Sequence, residues 1–179
     1  MNKSLLRAST VCLALTVFTG IVTVSQSASA AQTCTANGKI HSMFGTVPEA
    51  QLNSSVCAEA LADNKIRGKA TVGWEFINDG QSDMTSKRFN SFKITTRLER
   101  REPGAAEATD VVVTSKTCDF TADINKQAVS APSVFACLTP AVTLDGTKEW
   151  SGDATVVYDV AGDTKGSITW QLNGSPLMS

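Results

Sequence analysis

Residues 153–172, DATVVYDVAGDTKGSITWQL, are the stretch of sequence that decides the fold. Apolar side chains occupy alternate positions on both sides of a glycine-containing centre, and they are Ala154, Val156, Tyr158, Val160, Ile168, Trp170 and Leu172. Strict alternation is typical of a strand with one buried face, and the central residues 161–166, AGDTKG, are of the types that form turns. The stretch therefore predicts a β-hairpin whose apolar side chains face a core.

Four segments upstream also have the features of strands. In residues 70–77 and 89–101, apolar residues alternate with polar ones, and the inward set is Val72, Trp74, Phe76, Phe92, Ile94 and Leu98. Residues 110–117 are rich in β-branched side chains, and residues 134–139 end at a proline. Short strands separated by turns predict an all-β protein, an antiparallel immunoglobulin-like β-sandwich of about seven to nine strands. We assign this sandwich to residues 69–179.

Residues 31–68 show no comparable alternation. We predict an irregular N-terminal segment that a disulfide pins to the sandwich. Residues 54–62, SSVCAEALA, favour a short helix because they contain good helix formers, and Asn53 or Ser54 can cap its N-terminus.

Residues 1–30 have the composition of a signal peptide. Lys3 and Arg7 precede an apolar run over residues 11–24, and Ala28-Ser29-Ala30 has the small residues that signal peptidase requires. We predict cleavage after Ala30. The product is expected to be secreted and extracellular, without membrane insertion, because no second apolar run of spanning length follows.

The cysteine count predicts two disulfides. Cys12 lies in the signal peptide, and the remaining cysteines are Cys34, Cys57, Cys118 and Cys137. An even number in an exported domain is typical of a disulfide framework. Three connectivities are possible, and we favour Cys34–Cys57 with Cys118–Cys137 because each pair closes a short loop. Metal binding is disfavoured because the chain has no C-x-x-C pair.

The composition excludes several functional classes. Its 42% apolar and 18% charged residues exclude a disordered chain, and 16 Lys and Arg against 17 Asp and Glu give no general reason to bind nucleic acid. His41 is the only histidine, and no serine lies in a G-x-S-x-G turn, so we name no catalytic residue. We predict a non-catalytic binding module, with no essential cofactor, that contacts another secreted protein or a cell-wall polymer. Its oligomeric state stays open, and a small secreted hydrolase that uses His41 is the least favoured alternative.

A row of cations is the first candidate binding surface. It consists of Lys87, Arg88, Lys93, Arg97, Arg100 and Arg101. Lys93, Arg97 and Arg101 alternate outward on one strand, so they could bind a polyanion. The competing and favoured interpretation is a solvated edge strand whose charges prevent pairing with another sheet.

Trp150 is the aromatic residue that best fits a carbohydrate-binding surface. It lies in Lys148-Glu149-Trp150-Ser151-Gly152, which has the composition of a loop, whereas Trp74 and Trp170 share a phase with apolar neighbours. An exposed tryptophan ring stacks well on a sugar. A carbohydrate-binding module is therefore the alternative function, although scattered surface aromatics are common.

Calcium is the metal that the loops of this chain suit best. Oxygen-bearing side chains are concentrated in residues 78–83, NDGQSD, and at Asp145, Asp153, Asp159 and Asp163. Calcium prefers such oxygen ligands, but the same residues are ordinary turn formers, and the D-x-[DN]-x-[DN]-G spacing is absent. Turn formation is the favoured interpretation, and calcium binding in support of a carbohydrate site is the alternative.

The chain as a whole resembles small exported proteins of filamentous Gram-positive bacteria. The resemblance rests on the long signal peptide, the four cysteines after it, and the ending with Trp150-Ser151-Gly152-Asp153 and Trp170-Gln171-Leu172-Asn173-Gly174-Ser175-Pro176. It implies a secreted four-cysteine β-sandwich. It implies no activity and no functional residue.

Overall fold

The computed structural model describes residues 31–41, 49–77, 87–126 and 133–179. Within them lie a 3-10 helix (Glu107–Thr109), a short helix α1 (Thr121–Lys126) and nine strands: β1 (Gln32–His41), β2 (Glu49–Leu61), β3 (Lys65–Ile77), β4 (Phe89–Arg101), β5 (Val111–Asp119), β6 (Ser133–Leu138), β7 (Val142–Thr143), β8 (Glu149–Val160) and β9 (Ile168–Gln171). None of the helices in this described part is long and apolar enough to cross a membrane. The predicted signal peptide, the 78–83 loop and the side chain of His41 lie outside the described residues.

The strands form two antiparallel sheets, which confirms the all-β prediction. Sheet 1 has the order β1-β2-β3-β6, and β7 also pairs with β3; sheet 2 has the order β5-β4-β8-β9. The C-terminal hairpin is β8–β9, in which Tyr158 faces Ile168 and Val156 faces Trp170 across the strands. The sheets pack with their apolar faces together, so the alternation in the sequence separates the core from the outer surface.

The predicted irregular segment and helix are wrong, because residues 32–41 and 49–61 form the first two strands of sheet 1. β1 and β2 pair along their length, from Gln32 opposite Glu59 to His41 opposite Ala50. The buried positions of β2 alternate as Leu52, Ser54, Val56 and Ala58. Helix propensity is a weak preference that burial overrides, and the buried Ser54 hydroxyl is satisfied by donating to the Thr71 carbonyl oxygen at 2.8 Å. The sandwich therefore begins at β1 and not at residue 69.

The main core lies between the sheets. Of the side chains that the sequence assigned inward, the buried ones are Val72, Trp74, Phe92, Ile94, Leu98, Val156, Tyr158 and Leu172. Ile168 and Trp170 are only partly buried because they lie on the edge strand β9. The side chain of Phe76 lies outside the described residues.

Trp150 belongs to a second, smaller core cluster. Its ring is 1% exposed, and its Nε1 donates to the Asp145 carbonyl oxygen at 3.0 Å. The expectation of an exposed loop tryptophan is therefore wrong. Trp150 is the first inward residue of β8, but the next inward position is Gly152, which conceals the apolar alternation in the sequence.

Gly152 marks a close approach of the two sheets. A Cβ atom at this position would lie 2.3 Å from the Cys57 carbonyl oxygen on β2. Only glycine fits this contact without a shift of backbone. The contact fixes β8 against sheet 1 at the end of sheet 2 where Trp150 is buried.

Both disulfides occur in the favoured pairing. Cys34–Cys57 joins β1 to β2 at directly opposite positions, and Cys118–Cys137 joins β5 to β6 and so connects the two sheets. Disulfides of this kind indicate an oxidising environment such as the extracellular space.

Candidate functional site

A polar cleft of about 720 Å³ lies on the outer face of sheet 2. We call it the acidic cleft, and it is lined by Glu99, Arg101, Glu107, Asp110, Ser151, Gly152, Asp153, Gln171, Leu172, Asn173, Gly174, Ser175, Pro176 and Leu177. The central strands β4 and β8 contribute outward-facing side chains to it. Glu107 of the 3-10 helix and Asp110, which precedes β5, line it on the β4 side, and the C-terminal segment lines it on the β8 side.

The C-terminal segment, residues 172–178, is held beside β8 by an interrupted ladder. Backbone N–H groups of Leu172, Ser175 and Met178 donate to carbonyl oxygens of β8 at 2.8 to 3.0 Å. Residues 172–177 of this segment line the cleft. The Ser175 hydroxyl also accepts the Gly152 N–H at 2.8 Å, which fixes the spacing between this segment and β8.

The opposite side of the same segment is anchored to β1. The Thr33 hydroxyl donates to the Pro176 carbonyl oxygen at 2.8 Å. The Asn37 side chain accepts from the Asn173 N–H at 2.8 Å and donates to the Asn173 carbonyl oxygen at 3.3 Å. One border of the cleft is therefore positioned by both sheets.

Arg97 is shared between two carboxylates at the cleft. Its Nη2 lies 2.5 Å from Asp153 Oδ2, and its Nε lies 3.6 Å from Glu99 Oε1. The same Nη2 donates to the Thr155 hydroxyl at 2.9 Å, and Gln171 Nε2 donates to Asp153 Oδ1 at 3.0 Å. Asp153 is thus well satisfied, whereas Glu99 has the longer and weaker contact with the guanidinium.

Arg101 has looser contacts. Its Nη1 lies 3.5 Å from Asp110 Oδ1, and its Nε lies 3.5 Å from Glu149 Oε2. Within the described residues, neither the buried Arg101 Nε nor the buried Asp110 Oδ1 makes a hydrogen bond. Charged groups that are buried without hydrogen bonds have lost hydration without full replacement.

The Glu99 carboxyl has a raised pKa. Burial is the largest cause, and the neighbouring Asp153 carboxylate raises the pKa further, while Arg97 offsets part of the effect. Both causes disfavour the charged form. Glu99 therefore has a greater tendency than an ordinary glutamate to take up a proton or to accept a nearby positive charge.

The Asp110 carboxyl has a raised pKa for the same two reasons. Burial again comes first, Arg101 opposes it, and the carboxylates of Glu107 and Asp153 add to it. The two raised values come from one group of carboxylates that repel one another. Among the lining residues, Glu99, Glu107, Asp110 and Asp153 are accompanied by one cation, Arg101, and Arg97 pairs with Asp153 and Glu99 from outside the lining.

Five members of the predicted cationic row lie beside carboxylates or aromatic rings. Lys93 lies 3.7 Å from Asp119, and Arg97 and Arg101 pair with carboxylates at the acidic cleft. Arg88 is buried against the Trp74 ring, and Arg100 lies over the Trp150 ring.

β4 itself lies between β5 and β8, so the interpretation of this row as an edge strand is wrong. The alternation of β4 is visible in the sequence, but strand order and the opposing residues are not.

The acidic cleft could not be recognised as a unit in the sequence. Glu99 interrupts the predicted cationic row, Asp153 was predicted only as a calcium candidate, and Asp110 was not predicted as a site residue. These carboxylates meet because Arg97 lies opposite Asp153 in the β4–β8 register. That register joins residues far apart in the chain, so no local pattern could have revealed it.

The described residues give no support to a calcium site. They contain no group of three or more His, Cys, Asp or Glu side chains arranged to hold a metal ion. Asp145 accepts hydrogen bonds from the Thr147 N–H and hydroxyl, which lower the pKa of its carboxyl. Asp163 accepts from the Lys165 N–H. Both are bonded as turn residues.

Comparison of the chain with protein-family models, with curated proteins and with solved structures found no match. The acidic cleft is therefore the feature from which a function can be inferred.

Proposed function

We propose that the protein is a secreted, non-catalytic binding module whose acidic cleft takes up a positively charged side chain of another exported protein. The observation that supports this most directly is the negative charge of the cleft, whose four lining carboxylates are offset by Arg101 in the lining and by Arg97 beside it. Two of those carboxyls, Glu99 and Asp110, have raised pKa values. A lysine or arginine entering the cleft would relieve the repulsion and form charge-assisted hydrogen bonds.

A protein partner fits this surface better than an anionic wall polymer. Binding a polyanion would require cations that are available to it, and Lys93, Arg97 and Arg101 each have a carboxylate partner within the described residues. The uncompensated charge of the cleft is negative. Electrostatic complementarity of this kind increases association rates and selects against partners of like charge.

A carbohydrate-binding module remains the second candidate, because the amides of Gln171 and Asn173 and the carboxylates around them can hydrogen-bond to sugar hydroxyls. The candidate no longer rests on Trp150, and none of the residues that line the cleft is aromatic. Calcium assistance through residues 78–83 belongs to this second candidate.

The non-catalytic assignment rests on the sequence, in which His41 is the single imidazole. A hydrolase that used Glu99 and Asp153 as a carboxyl pair would be recognised by turnover of glycans or peptides. If Glu99→Gln abolished that turnover, the protein would be assigned as an enzyme and not as a binding module.

The immunoglobulin-like description and the export signal are also part of the proposal. We apply the description to the two-sheet architecture alone. In the immunoglobulin order the third strand lies in a different sheet from the first two, whereas β1, β2 and β3 are neighbours in one sheet here.

Export predicts a mature protein that begins at Ala31, which N-terminal sequencing of the protein from culture fluid would check.

The cleft is tested by titration with the tripeptides Ac-Gly-Lys-Gly-amide and Ac-Gly-Arg-Gly-amide, with Ac-Gly-norleucine-Gly-amide as the uncharged control. We expect NMR shifts at Gly152 and Gly174 with the cationic peptides only, and weaker binding as salt rises. Asp110→Asn should reduce the affinity, whereas Asp119→Asn, which removes an exposed carboxylate away from the cleft, should not. Equal binding of the norleucine peptide, or no effect of Asp110→Asn, would contradict the proposed function.

A further inference from the structure

β5 is an open edge next to the acidic cleft. It is the terminal strand of sheet 2, and within the described residues no strand pairs with its outer side. Val111 and Val112 at its start are 57% and 49% exposed, among the most exposed large apolar side chains of the described chain. Edge strands are usually protected by charge, proline or a covering element. The first residues of β5 have none of these on their own strand.

The hydrogen-bonding direction of the open edge follows from the register of β4 and β5. The Phe120 N–H donates to the Phe92 carbonyl oxygen at 2.9 Å, and Ile94 lies opposite Cys118 in the same frame. In an antiparallel pair, backbone groups point alternately toward and away from the partner strand. The register shifts by one residue at a β-bulge between Leu98 opposite Thr114 and Glu99 opposite Val112. On the far side of this bulge from Val112, Ser115 and Thr117 therefore direct their N–H and C=O groups away from β4, where an additional strand that follows the same bulge could bond to them.

The open edge and the cleft share one face of the sheet. Val112 lies opposite Glu99 in the register, and Glu99 lines the cleft. Asp110 precedes Val112 by two positions and lines the cleft as well. A strand added to β5 would consequently place one side chain beside Val112 and the next side chain on the same face beside Asp110.

We infer that β5 receives an extended segment of the exported partner as an added antiparallel strand, with an apolar residue opposite Val112 and a lysine or arginine opposite Asp110. This inference rests on the proposed function, because it names how the cationic side chain reaches the cleft. Backbone hydrogen bonds along the edge would provide affinity, and the Val112 and Asp110 positions would provide specificity. Read from its N-terminus, the segment has the pattern apolar, any residue, basic.

Charge complementarity selects this occupant. The end of β5 that exposes Val111 and Val112 adjoins the carboxylates of the cleft, two of which have raised pKa values. An acidic or uncharged strand could use the same edge but would leave that charge uncompensated. A basic residue in the stated position is the feature that distinguishes the proposed partner from an unspecific β-strand.

The test uses the peptide Ac-Thr-Val-Thr-Val-Thr-Lys-Thr-amide as the strand probe, measured by calorimetry against the wild-type protein. Ser115→Pro removes an outward N–H without breaking a bond to β4, and a proline is tolerated at such an edge position. Ser115→Ala is the matched control. We expect Ser115→Pro to weaken binding of the strand probe by about tenfold or more, while Ser115→Ala leaves it unchanged.

Two further probes keep the inference falsifiable if Ser115→Pro does not fold. The same peptide with alternate backbone nitrogens methylated should bind the wild-type protein at least about tenfold more weakly, and replacement of its lysine by norleucine should also weaken it. The added strand would be overturned if the methylated peptide bound the wild-type protein as tightly as the unmethylated peptide. It would also be overturned if Ser115→Pro and Ser115→Ala bound the strand probe equally well.

Failure of the inference can be separated from failure of the proposed function. If the cationic tripeptides bind and respond to Asp110→Asn but the strand probe does not depend on β5, the cleft stands and the added strand is overturned. If neither the tripeptides nor the strand probe binds, both fail. A wild-type dimer in sedimentation that Ser115→Pro abolishes would assign the edge to a second copy of the chain and would likewise overturn the inference.

Discussion

The two faces of β4 differ in how they are stabilised and in what they can do. Its inner face has Phe92, Ile94 and Leu98, which are fully buried against sheet 1. Its outer face has Arg97, Glu99 and Arg101, which are partly exposed and linked by ion pairs to other strands. The inner face stabilises the folded state through apolar burial, which depends little on which apolar side chain lies opposite. The outer face depends on which charge lies opposite which, so it can respond to pH and to a charged ligand.

The largest effect is expected on the inner face. Replacing Phe92 by Ala should lower the free energy of unfolding by about 3–5 kcal/mol, because it removes a fully buried ring from the main core. Thr95→Ala on the outer face of the same strand removes only an exposed hydroxyl contact with Thr117. Chemical denaturation measures both, and similar losses for the two variants would contradict the distinction between the faces.

An intermediate effect is expected where the sheets touch. Gly152→Ala should cost about 1–3 kcal/mol or more, because the added methyl group would meet the Cys57 carbonyl oxygen of β2. Gly146→Ala is the control, since nothing lies within 4 Å of a Cβ atom there. The midpoint of thermal unfolding reports the difference. If Gly152→Ala unfolds at the same temperature as Gly146→Ala, the close approach of β2 and β8 is wrong.

The smallest effect is expected on the outer face and depends on pH. Because the pKa of Glu99 is raised in the folded protein, the folded state holds this proton more tightly than the unfolded chain. Stability contributed by this group is therefore present below the ordinary value of 4.5 and is lost as pH rises through the folded-state pKa. The Glu99→Gln variant has no carboxyl at this position and does not lose stability in this way. The thermal unfolding midpoint of the variant minus that of the wild type should therefore be greater at pH 7 than at pH 3.

Glu102→Gln, in which an exposed glutamate is changed, is the control for this pH comparison. If the thermal unfolding midpoints of Glu99→Gln and wild type differ by the same amount at both pH values, Glu99 is not held in a site that disfavours its charge. If the variant is less stable relative to wild type at pH 7 than at pH 3, the contact with Arg97 outweighs burial.

The same contrast explains what the sequence could and could not predict. Period-two alternation identified β8, β9 and the inner face of β4, because burial on one face leaves a local pattern. It failed for β2, where Ser54 and Ala58 occupy buried positions and the local composition favours a helix. It also failed for Trp150, whose inward neighbour is Gly152.

The acidic cleft was beyond prediction for another reason. Its side chains come from β4, β8, the segment just before β5 and the C-terminal segment, and they meet only through strand order and register. Arg97 and Asp153 are each unremarkable in their own segments. The cysteine pairing could be predicted because the short sequence separations favoured one of the alternatives, whereas the pairing of charged residues across strands has no such constraint.

The register of β4 and β8 also has a consequence for the order of folding. Lys93 lies opposite Val157 and Arg97 opposite Asp153, so this pair closes a long loop of chain, whereas the β1–β2–β3 meander is built from neighbouring segments. Closing a long loop is entropically slower than joining local hairpins. We therefore expect the meander to form first and the carboxylates of Glu99 and Asp153 to come together last. A chain that has not completed folding would expose β4 without presenting the acidic cleft, so a ligand of the cleft would bind only after the final strands are in place.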